Sequence, residues 1–315
     1  MVQRILVIGT GSIGRRHAEN FRALGAEVTA IGWRATSVEG VETALAGSRF
    51  DGMVIATETQ IRLPLIVAAA KADVPIYVEK PLAFCSNDLN ACLAAAAPIA
   101  ARSMLGLMMR YHPAFRDLAQ ADLSDSYHFS FAIGHDVTQW RENWRFSDSY
   151  AAKPQGGGVL LDLCHELDMA ACLFPGLRVE SVHSHGHTAY PGVDMASRIA
   201  LASGQVTGCV AMDYLAPRLI RQAQINGTKA SRSYDFAAQT YRIAQGQAVE
   251  TPHLPLERNE MFMAAASDFL ALIAGKPLRG IEHFPRLDRV GESCRLTAQA
   301  WEQRRFIGTI TKDIP

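Results

Sequence analysis

Arg4-Ile5-Leu6-Val7-Ile8-Gly9-Thr10-Gly11-Ser12-Ile13-Gly14 decides how the rest of this chain is read. Ile5 to Ile8 form an unbroken apolar run, the pattern of a central parallel strand covered on both faces, and three glycines spaced G-x-G-x-x-G follow at once. That spacing suits a dinucleotide. Gly9 allows a tight turn and Gly11 lets the backbone come close to a pyrophosphate. Gly14 lets the next helix pack on the strand, with Ser12 and Ile13 at the helix N-terminus that faces the anion. A strand-to-helix turn that binds nothing can also use three glycines. Here the strand before the turn and the helix-compatible Arg15 to Leu24 after it supply the context that a nucleotide loop needs.

With 315 residues the chain is long enough for two cores, since single cores rarely grow past roughly 250 to 300 residues. Hydrophobic residues make up 49% and charged residues 20%, and Lys plus Arg equals Asp plus Glu at 31 each. Such a balance provides no net field for nucleic acid or an anionic membrane, so the expected partner is a small molecule. The six cysteines are scattered without a C-x-x-C pair, which suggests reduced thiols and neither a zinc ribbon nor a disulfide framework. No apolar run reaches the roughly 18 residues of a membrane span, and the N-terminus enters a strand without a signal peptide. The expectation is a cytoplasmic protein.

Glu27 to Ile31 reads as a second strand ending at Gly32-Trp33-Arg34, about 20 residues past the glycines, where a dinucleotide fold chooses its cofactor. No carboxylate stands there to bind the ribose of NAD. Trp33 is placed to stack on adenine, and Arg34 offers a planar, permanently charged fork for the 2′-phosphate of NADP. The reading therefore leans to NADP over NAD, against the alternative that Arg34 is a solvated loop cation. Strand and helix signals then alternate: Gly52 to Ala56, Leu63 to Ala72, Pro75 to Val78, Asn87 to Ala97 and Ser103 to Met109. This predicts a parallel sheet with helical crossovers. At its strand ends stand Thr57, then Glu79-Lys80-Pro81, then Arg110-Tyr111-His112-Pro113.

This combination resembles the glucose-fructose oxidoreductase, inositol dehydrogenase and rhizopine-catabolism family, written Gfo/Idh/MocA. The resemblance rests on the glycine loop followed by Arg16-His17, on Ile55-Ala56-Thr57, and above all on Glu79-Lys80-Pro81 after an apolar strand. It implies that Lys80 lies between nicotinamide and substrate. There a fixed ammonium hydrogen-bonds the reacting hydroxyl and stabilises negative charge on it. Thr57, Glu79 and Lys80 are accordingly candidate cofactor contacts, and Arg110 a candidate substrate contact. The chain departs from the family's Thr-Pro-Asn and following histidine, having Thr57-Glu58-Thr59 and Arg62 in the histidine place.

The resemblance returns at Gly156 to Asp168. With about 100° per residue, Leu160, Leu163, Leu167, Ala170, Ala171 and Phe174 make one apolar stripe, with Asp162, His165 and Glu166 roughly opposite. A spacing of three puts Asp162 and His165 on one helix face. An imidazole with an ordinary pKa of about 6.5 suits removal of a hydroxyl proton, and Asp162 binds substrate or orients the ring. A merely solvated helix face would give the same pattern. Many relatives separate the two by four positions; a spacing of three resembles a subgroup acting on sugars of cell-surface polysaccharide pathways, and leaves open which residue is the base. Arg141 and Tyr150, in the aromatic loop before the glycines, are candidate substrate contacts.

Strand-like stretches run through Val179 to His187, Met195 to Ala202, Gln205 to Tyr214, Leu219 to Asn226 and Ala230 to Phe236, with turn pairs between them. His183, His185 and His187 share one strand face, but no carboxylate or cysteine accompanies them, so no metal is expected. Two helical patterns, Asn259 to Ala274 and Phe284 to Arg304, close the chain and are expected to pack behind the sheet and against the first domain.

The predicted architecture is a Rossmann α/β domain over 1–121 followed by an α+β domain over 122–315 with a largely antiparallel open sheet. By resemblance, that sheet pairs subunits into a homodimer or homotetramer. The implied activity is hydride transfer between NADP or NAD and a secondary alcohol of a sugar, cyclitol or sugar derivative. Two rivals stand beside it: a relative that retains NAD and processes glycosides, and a sugar or nucleotide sensor without turnover.

Overall fold

Ile5 to Ile8 are fully buried in β1 (Arg4–Ile8) because that strand lies in the middle of a sheet, with parallel neighbours on both edges. The computed structural model describes residues 2–140 and 144–314. From the glycine turn the chain enters α1 (Ser12–Ala23), then β2 (Glu27–Ile31), α2 (Val38–Gly47), β3 (Gly52–Ile55), α3 (Arg62–Lys71), β4 (Ile76–Val78), α4 (Ser86–Ala96) and β5 (Met104–Leu105). Among the described residues these strands make a five-stranded parallel sheet, ordered β2-β1-β3-β4-β5. β2 is an edge and is correspondingly exposed, whereas β3 and β4 are buried throughout.

Two details differ from the sequence pattern. β5 covers two residues where Ser103 to Met109 reads as strand, because the chain turns into a 3₁₀ segment at Met108–Tyr111. Helix α2 has no clear sequence signal, since Gly40 interrupts its first turn; it is started by Ser37, whose hydroxyl accepts from the Gly40 amide at 3.4 Å.

The second unit begins with α5 (Pro113–Gln120) and β6 (Ser126–Gly134), followed by the two short helices α6 (Val159–Asp162) and α7 (His165–Leu173). Strands β7 (Arg178–His187), β8 (Ala196–Ala202), β9 (Thr207–Asp213), β10 (Ile220–Gly227), β11 (Ala230–Asp235), β12 (Thr240–Gln245) and β13 (Ala248–Glu250) come next. The chain then returns to the first unit through α8 (Arg258–Ile273), and α9 (Gly291–Glu302) leads to the last strand, β14 (Arg304–Ile310). Among the described residues the second sheet has nine strands, ordered β13-β12-β11-β10-β6-β9-β8-β7-β14, antiparallel except where β6 meets β9 and β7 meets β14. Phe129 and Phe131 fill its buried face, Phe129 stacking on Phe174 at 4.8 Å. The last helical pattern, Phe284 to Arg304, is shortened to α9 over Gly291–Glu302. The strand from Arg304, which the sequence pattern does not announce, pairs with β7, where a side chain on Gly308 would meet His185 at 2.8 Å.

The first unit comprises Met1–His112 with Glu257–Cys294, and the second Pro113–Leu256 with Arg295–Pro315. Thus α8, read from sequence within 122–315 but expected to pack on the first domain, is part of the first unit. It is started by a reciprocal capping box between Glu257 and Glu260. Its apolar face meets α1 and the sheet through Phe262 and Phe269: Phe269 lies 6.0 Å edge-on to Phe21 and 5.8 Å edge-on to Tyr77. Gln3 donates to the Leu270 carbonyl at 2.9 Å, and Asn20 and Asn259 exchange amide hydrogen bonds. Burying Phe269 completely contributes roughly 2 to 3 kcal/mol.

Candidate active site

Within the first unit the three glycines serve different steric needs. Gly9 has φ +111, and a β-carbon there would stand 2.3 Å from the Ala56 carbonyl oxygen. Gly14 lets α1 close on the turn, since a β-carbon would fall 1.9 Å from the Gly9 carbonyl oxygen. A β-carbon on Gly11 would meet nothing within 4 Å, and α1 starts there with no side-chain cap and no acidic residue in its first turn. The amides at Ser12 and Ile13 therefore open onto space of the right polarity for a pyrophosphate, so this loop fits a dinucleotide. At the end of β2, Trp33 is half-buried in a 3₁₀ turn and Arg34 is exposed.

The end of β4 is organised by two residues to which the sequence attaches no role. His17 hydrogen-bonds Glu79 through Nε2 and Oε1 at 2.6 Å with both side chains buried, and the imidazole sits 4.8 Å from the Tyr77 ring. Burial opposes the charge on Glu79. The His17 hydrogen bond and the charges of His17, Lys80 and Arg62 outweigh it and hold the carboxyl below its usual range. Glu79, a candidate cofactor contact, is thus directed into the interior. Arg62, in the histidine place, is almost fully buried and donates through Nη2 to the carbonyls of Thr57 at 2.8 Å and Lys80 at 3.3 Å. It ties the ends of β3 and β4 together. Lys80 is half-buried, and its peptide bond to Pro81 is cis. Arg110, read as a substrate contact, is buried and donates to the His283 carbonyl and to Ser293 Oγ, both at 3.1 Å. Its guanidinium holds the chain between His283 and Ser293 in place.

In the second unit the sequence predicts one helix with a polar face from Leu160 to Phe174. The structure breaks it at Leu163 and Cys164 into α6 and α7, and the polar face is not solvated. His165, Glu166 and Asp168 are all buried. Glu166 is fully enclosed and takes a two-point ion pair from Arg221 on β10, at 2.6 and 3.3 Å, which fastens the first turn of α7 to the sheet.

The glycines before α6 serve backbone packing more than freedom of approach. A β-carbon on Gly157 would meet three carbonyl oxygens of residues 150–153 within 2.7 Å, and one on Gly158, at φ +94, would stand 2.1 Å from Asp194 Oδ1. Asp194, fully buried, starts α6: its carbonyl accepts from the Val159 amide at 2.9 Å, and Oδ2 accepts from the Leu160 amide at 2.9 Å and Ser197 Oγ at 3.1 Å. Oδ1 pairs with Arg304, whose own pKa is lowered by burial against the pull of that carboxylate. Sequence offers no hint of this pair, 110 residues apart.

Asp162, at the end of α6, accepts from two tyrosines: Tyr150 Oη at 2.6 Å on Oδ1 and Tyr214 Oη at 3.1 Å on Oδ2. Tyr150 is exposed, whereas Tyr214 is fully buried, edge-on to Trp140 and Phe146. Burial, with Asp162 adding to it, pushes the Tyr214 hydroxyl well above its ordinary pKa, so it remains a donor. Arg141 lies outside the described residues. Of the histidines on β7, His183 and His185 are exposed, while the buried His187 contacts the Lys312 carbonyl at 2.5 Å and accepts from the Ala189 amide at 3.1 Å. Among the described residues no group of three or more metal-ligating side chains is gathered.

Residues 118–233 match the model of the GFO/IDH/MocA C-terminal domain. Over 280 residues the sequence is 25% identical to UDP-N-acetylglucosamine 3-dehydrogenase of Acidithiobacillus ferrooxidans, covering 84% of each chain. The family-model match ties residues 118–233 to the Gfo/Idh/MocA family. Solved structures share the fold of the chain. An inositol dehydrogenase homologue from Azotobacter vinelandii, complexed with NAD+, superposes with a TM-score of 0.77 at 15% identity over 95% of both chains. A 3-ketoreductase from Actinomadura kijaniata, in complex with NADP and TDP-benzene, gives 0.75 at 17% identity over 98% of this chain and 99% of that one. Among the described residues no helix is long and apolar enough to cross a membrane.

Proposed function

We propose that this chain is a Gfo/Idh/MocA-type, NAD(P)-dependent oxidoreductase acting on a secondary alcohol of a sugar, cyclitol or sugar derivative. The glycine turn carries the reading, because its uncapped helix start and the open space at Gly11 fit a pyrophosphate. Arg34, exposed at the end of β2 with no carboxylate beside it in sequence, favours NADP over NAD. When bound, the nicotinamide supplies a hydride acceptor. Thr57, Trp33 and Lys80 are assigned to the cofactor along with the glycine loop.

Lys80 is assigned to hold negative charge on the reacting oxygen, and His165 to take its proton. The base role goes to His165 because both oxygens of Asp162 already accept tyrosine hydroxyls that orient it. Tyr150 and Arg141 remain assigned to substrate. Pairing of two or four copies through the nine-stranded sheet fits the exposed Ile220, Val249, Phe306 and Ile307 on its strands. Light scattering on an eluting column would report the copy number, and a single-copy mass would refute the pairing. Six free thiols fit a cytoplasmic location.

The test is a panel of polyols and nucleotide sugars, offered with NADP and NAD and followed by the absorbance of reduced nicotinamide. Turnover of at least one is expected, with Lys80→Ala and His165→Ala each slower by about two orders of magnitude or more. No turnover, together with no cofactor binding in calorimetry, overturns the reading.

A further inference from the structure

The segment that follows β14 is pinned at two points. Lys312 donates through Nζ to Asp136 Oδ2 at 2.5 Å, and its carbonyl lies 2.5 Å from His187 Nε2. His187 Nδ1 already accepts the Ala189 amide, so the neutral ring carries its hydrogen on Nε2 and donates it to Lys312. Two residues on, the Ile314 carbonyl accepts from Tyr190 Oη at 2.8 Å, and the Ile314 side chain is buried.

Each pin leads to the residue that holds Asp162. Asp136 Oδ1 accepts from the Thr138 amide at 3.1 Å and from its hydroxyl at 2.7 Å, which starts the 3₁₀ turn Val137–Gln139. The first amide of that turn donates to the Tyr214 carbonyl at 2.9 Å. Burial opposes the charge on Asp136, but the hydrogen bonds from Lys312 and Thr138 outweigh it and hold the carboxyl below its usual range. Tyr190, for its part, lies edge-on to Phe146 at 5.0 Å, and Phe146 edge-on to Tyr214 at 5.6 Å. Tyr214 is thus gripped at its backbone by way of Lys312 and at its ring by way of Tyr190, while its hydroxyl donates to Asp162 Oδ2.

We propose that Lys312 and Tyr190 are positioning residues for the substrate: by bracing Tyr214 from the segment after β14, they set where Asp162 meets the sugar or polyol. The inference rests on the dehydrogenase reading above, in which Asp162 and His165 serve the substrate, and extends it to residues far along the chain. Both act through Tyr214, and small displacements of a placed group are enough to weaken a site. The Lys312 side chain is 40% exposed, and an ion pair so placed contributes little to global stability. Its loss should therefore be felt at the site and hardly in unfolding.

The experiment uses the full chain with cofactor and the substrate that the panel identifies. Lys312→Met and Tyr190→Phe are each expected to raise the substrate KM about 3- to 10-fold, and Lys312→Arg, which keeps the charge, to stay near wild type. The dissociation constant of the cofactor, assigned to the glycine turn of the other unit, should not change, and neither should the urea midpoint of Lys312→Met. A second readout needs no turnover: acrylamide quenching of Trp140, which lies edge-on to Tyr214 at 5.5 Å, taken as the difference between each protein and its Trp140→Phe form. Quenching should increase in Lys312→Met and Tyr190→Phe and return to the wild-type level in Lys312→Arg. An unchanged KM in both variants, or quenching equal to wild type, overturns the inference and leaves the dehydrogenase reading standing. Absence of turnover with any polyol or sugar overturns that reading, and the inference falls with it.

Discussion

Asp194→Asn is the substitution for which the structure sets the clearest magnitude. The wild-type carboxylate is fully buried, and both of its oxygens accept from donors: Arg304 on Oδ1, the Leu160 amide and Ser197 on Oδ2. An asparagine has nearly the same shape but carries one NH2. Whichever way the amide is turned, that NH2 faces either the guanidinium or the Leu160 N–H. Removing the counter-charge of a buried guanidinium costs about 3 to 5 kcal/mol. A donor left facing a donor costs about 1 to 3 kcal/mol, and because both losses share one group, about 4 kcal/mol is the working figure. That is a large share of the roughly 5 to 15 kcal/mol by which domains are stable. Urea unfolding followed by circular dichroism should show the midpoint falling by more than about 1 M, given a slope near 3 kcal/mol per M. Arg304→Met, made alone and together with Asp194→Asn, closes a cycle, and the double variant should be better than additive by at least about 1.5 kcal/mol. An Asp194→Asn protein within about 0.5 kcal/mol of wild type, or strict additivity, would refute the argument that this pair starts α6.

Three further outcomes can be checked in the first unit. Arg62→Ala should lower stability by about 2 to 4 kcal/mol in urea unfolding, since the carbonyls of Thr57 and Lys80 lose a shared buried donor; Arg62→Lys should recover only part of it. Glu79 has a folded pKa below its ordinary 4.5, so its stabilisation is present above pH 4.5 and disappears as the pH falls through the lowered value. Wild-type stability should therefore decline below pH 4.5 more steeply than that of Glu79→Gln, and parallel pH profiles would count against the His17 pairing. Gly9→Ala should abolish cofactor binding in calorimetry, because a left-handed φ alone costs roughly 1 to 2 kcal/mol and the new methyl would lie 2.3 Å from the Ala56 oxygen.

The parts legible in the sequence are those whose signal is local. β1 with its glycine turn reads correctly because a doubly covered strand must be apolar throughout, and α8 because its apolar positions recur with helical period over 16 residues. Asp162 and His165 are singled out by spacing, yet their surroundings are misread. A stripe analysis makes the opposite face solvent by default, whereas Glu166 is buried against Arg221, a partner 55 residues away. Pairings across such distances leave no trace in a single sequence: Asp194 with Arg304, Tyr214 with Asp162, Glu79 with His17. Arg62 is visible as a departure from the family pattern, but its task becomes evident only once both carbonyls that it holds have been placed.

The return of Glu257–Cys294 to the first unit has a consequence for synthesis. When the ribosome has finished His112, the sheet exists in sequence but the helix that covers Phe21 and Tyr77 has not been made. Translation of the intervening residues takes on the order of seven to thirty seconds at roughly 5 to 20 residues per second. Throughout that interval the nascent nucleotide-binding half exposes aromatic surface that a chaperone would recognise. A message truncated before codon 257 would accordingly yield a chain prone to aggregation, even though every strand of the parallel sheet had been translated.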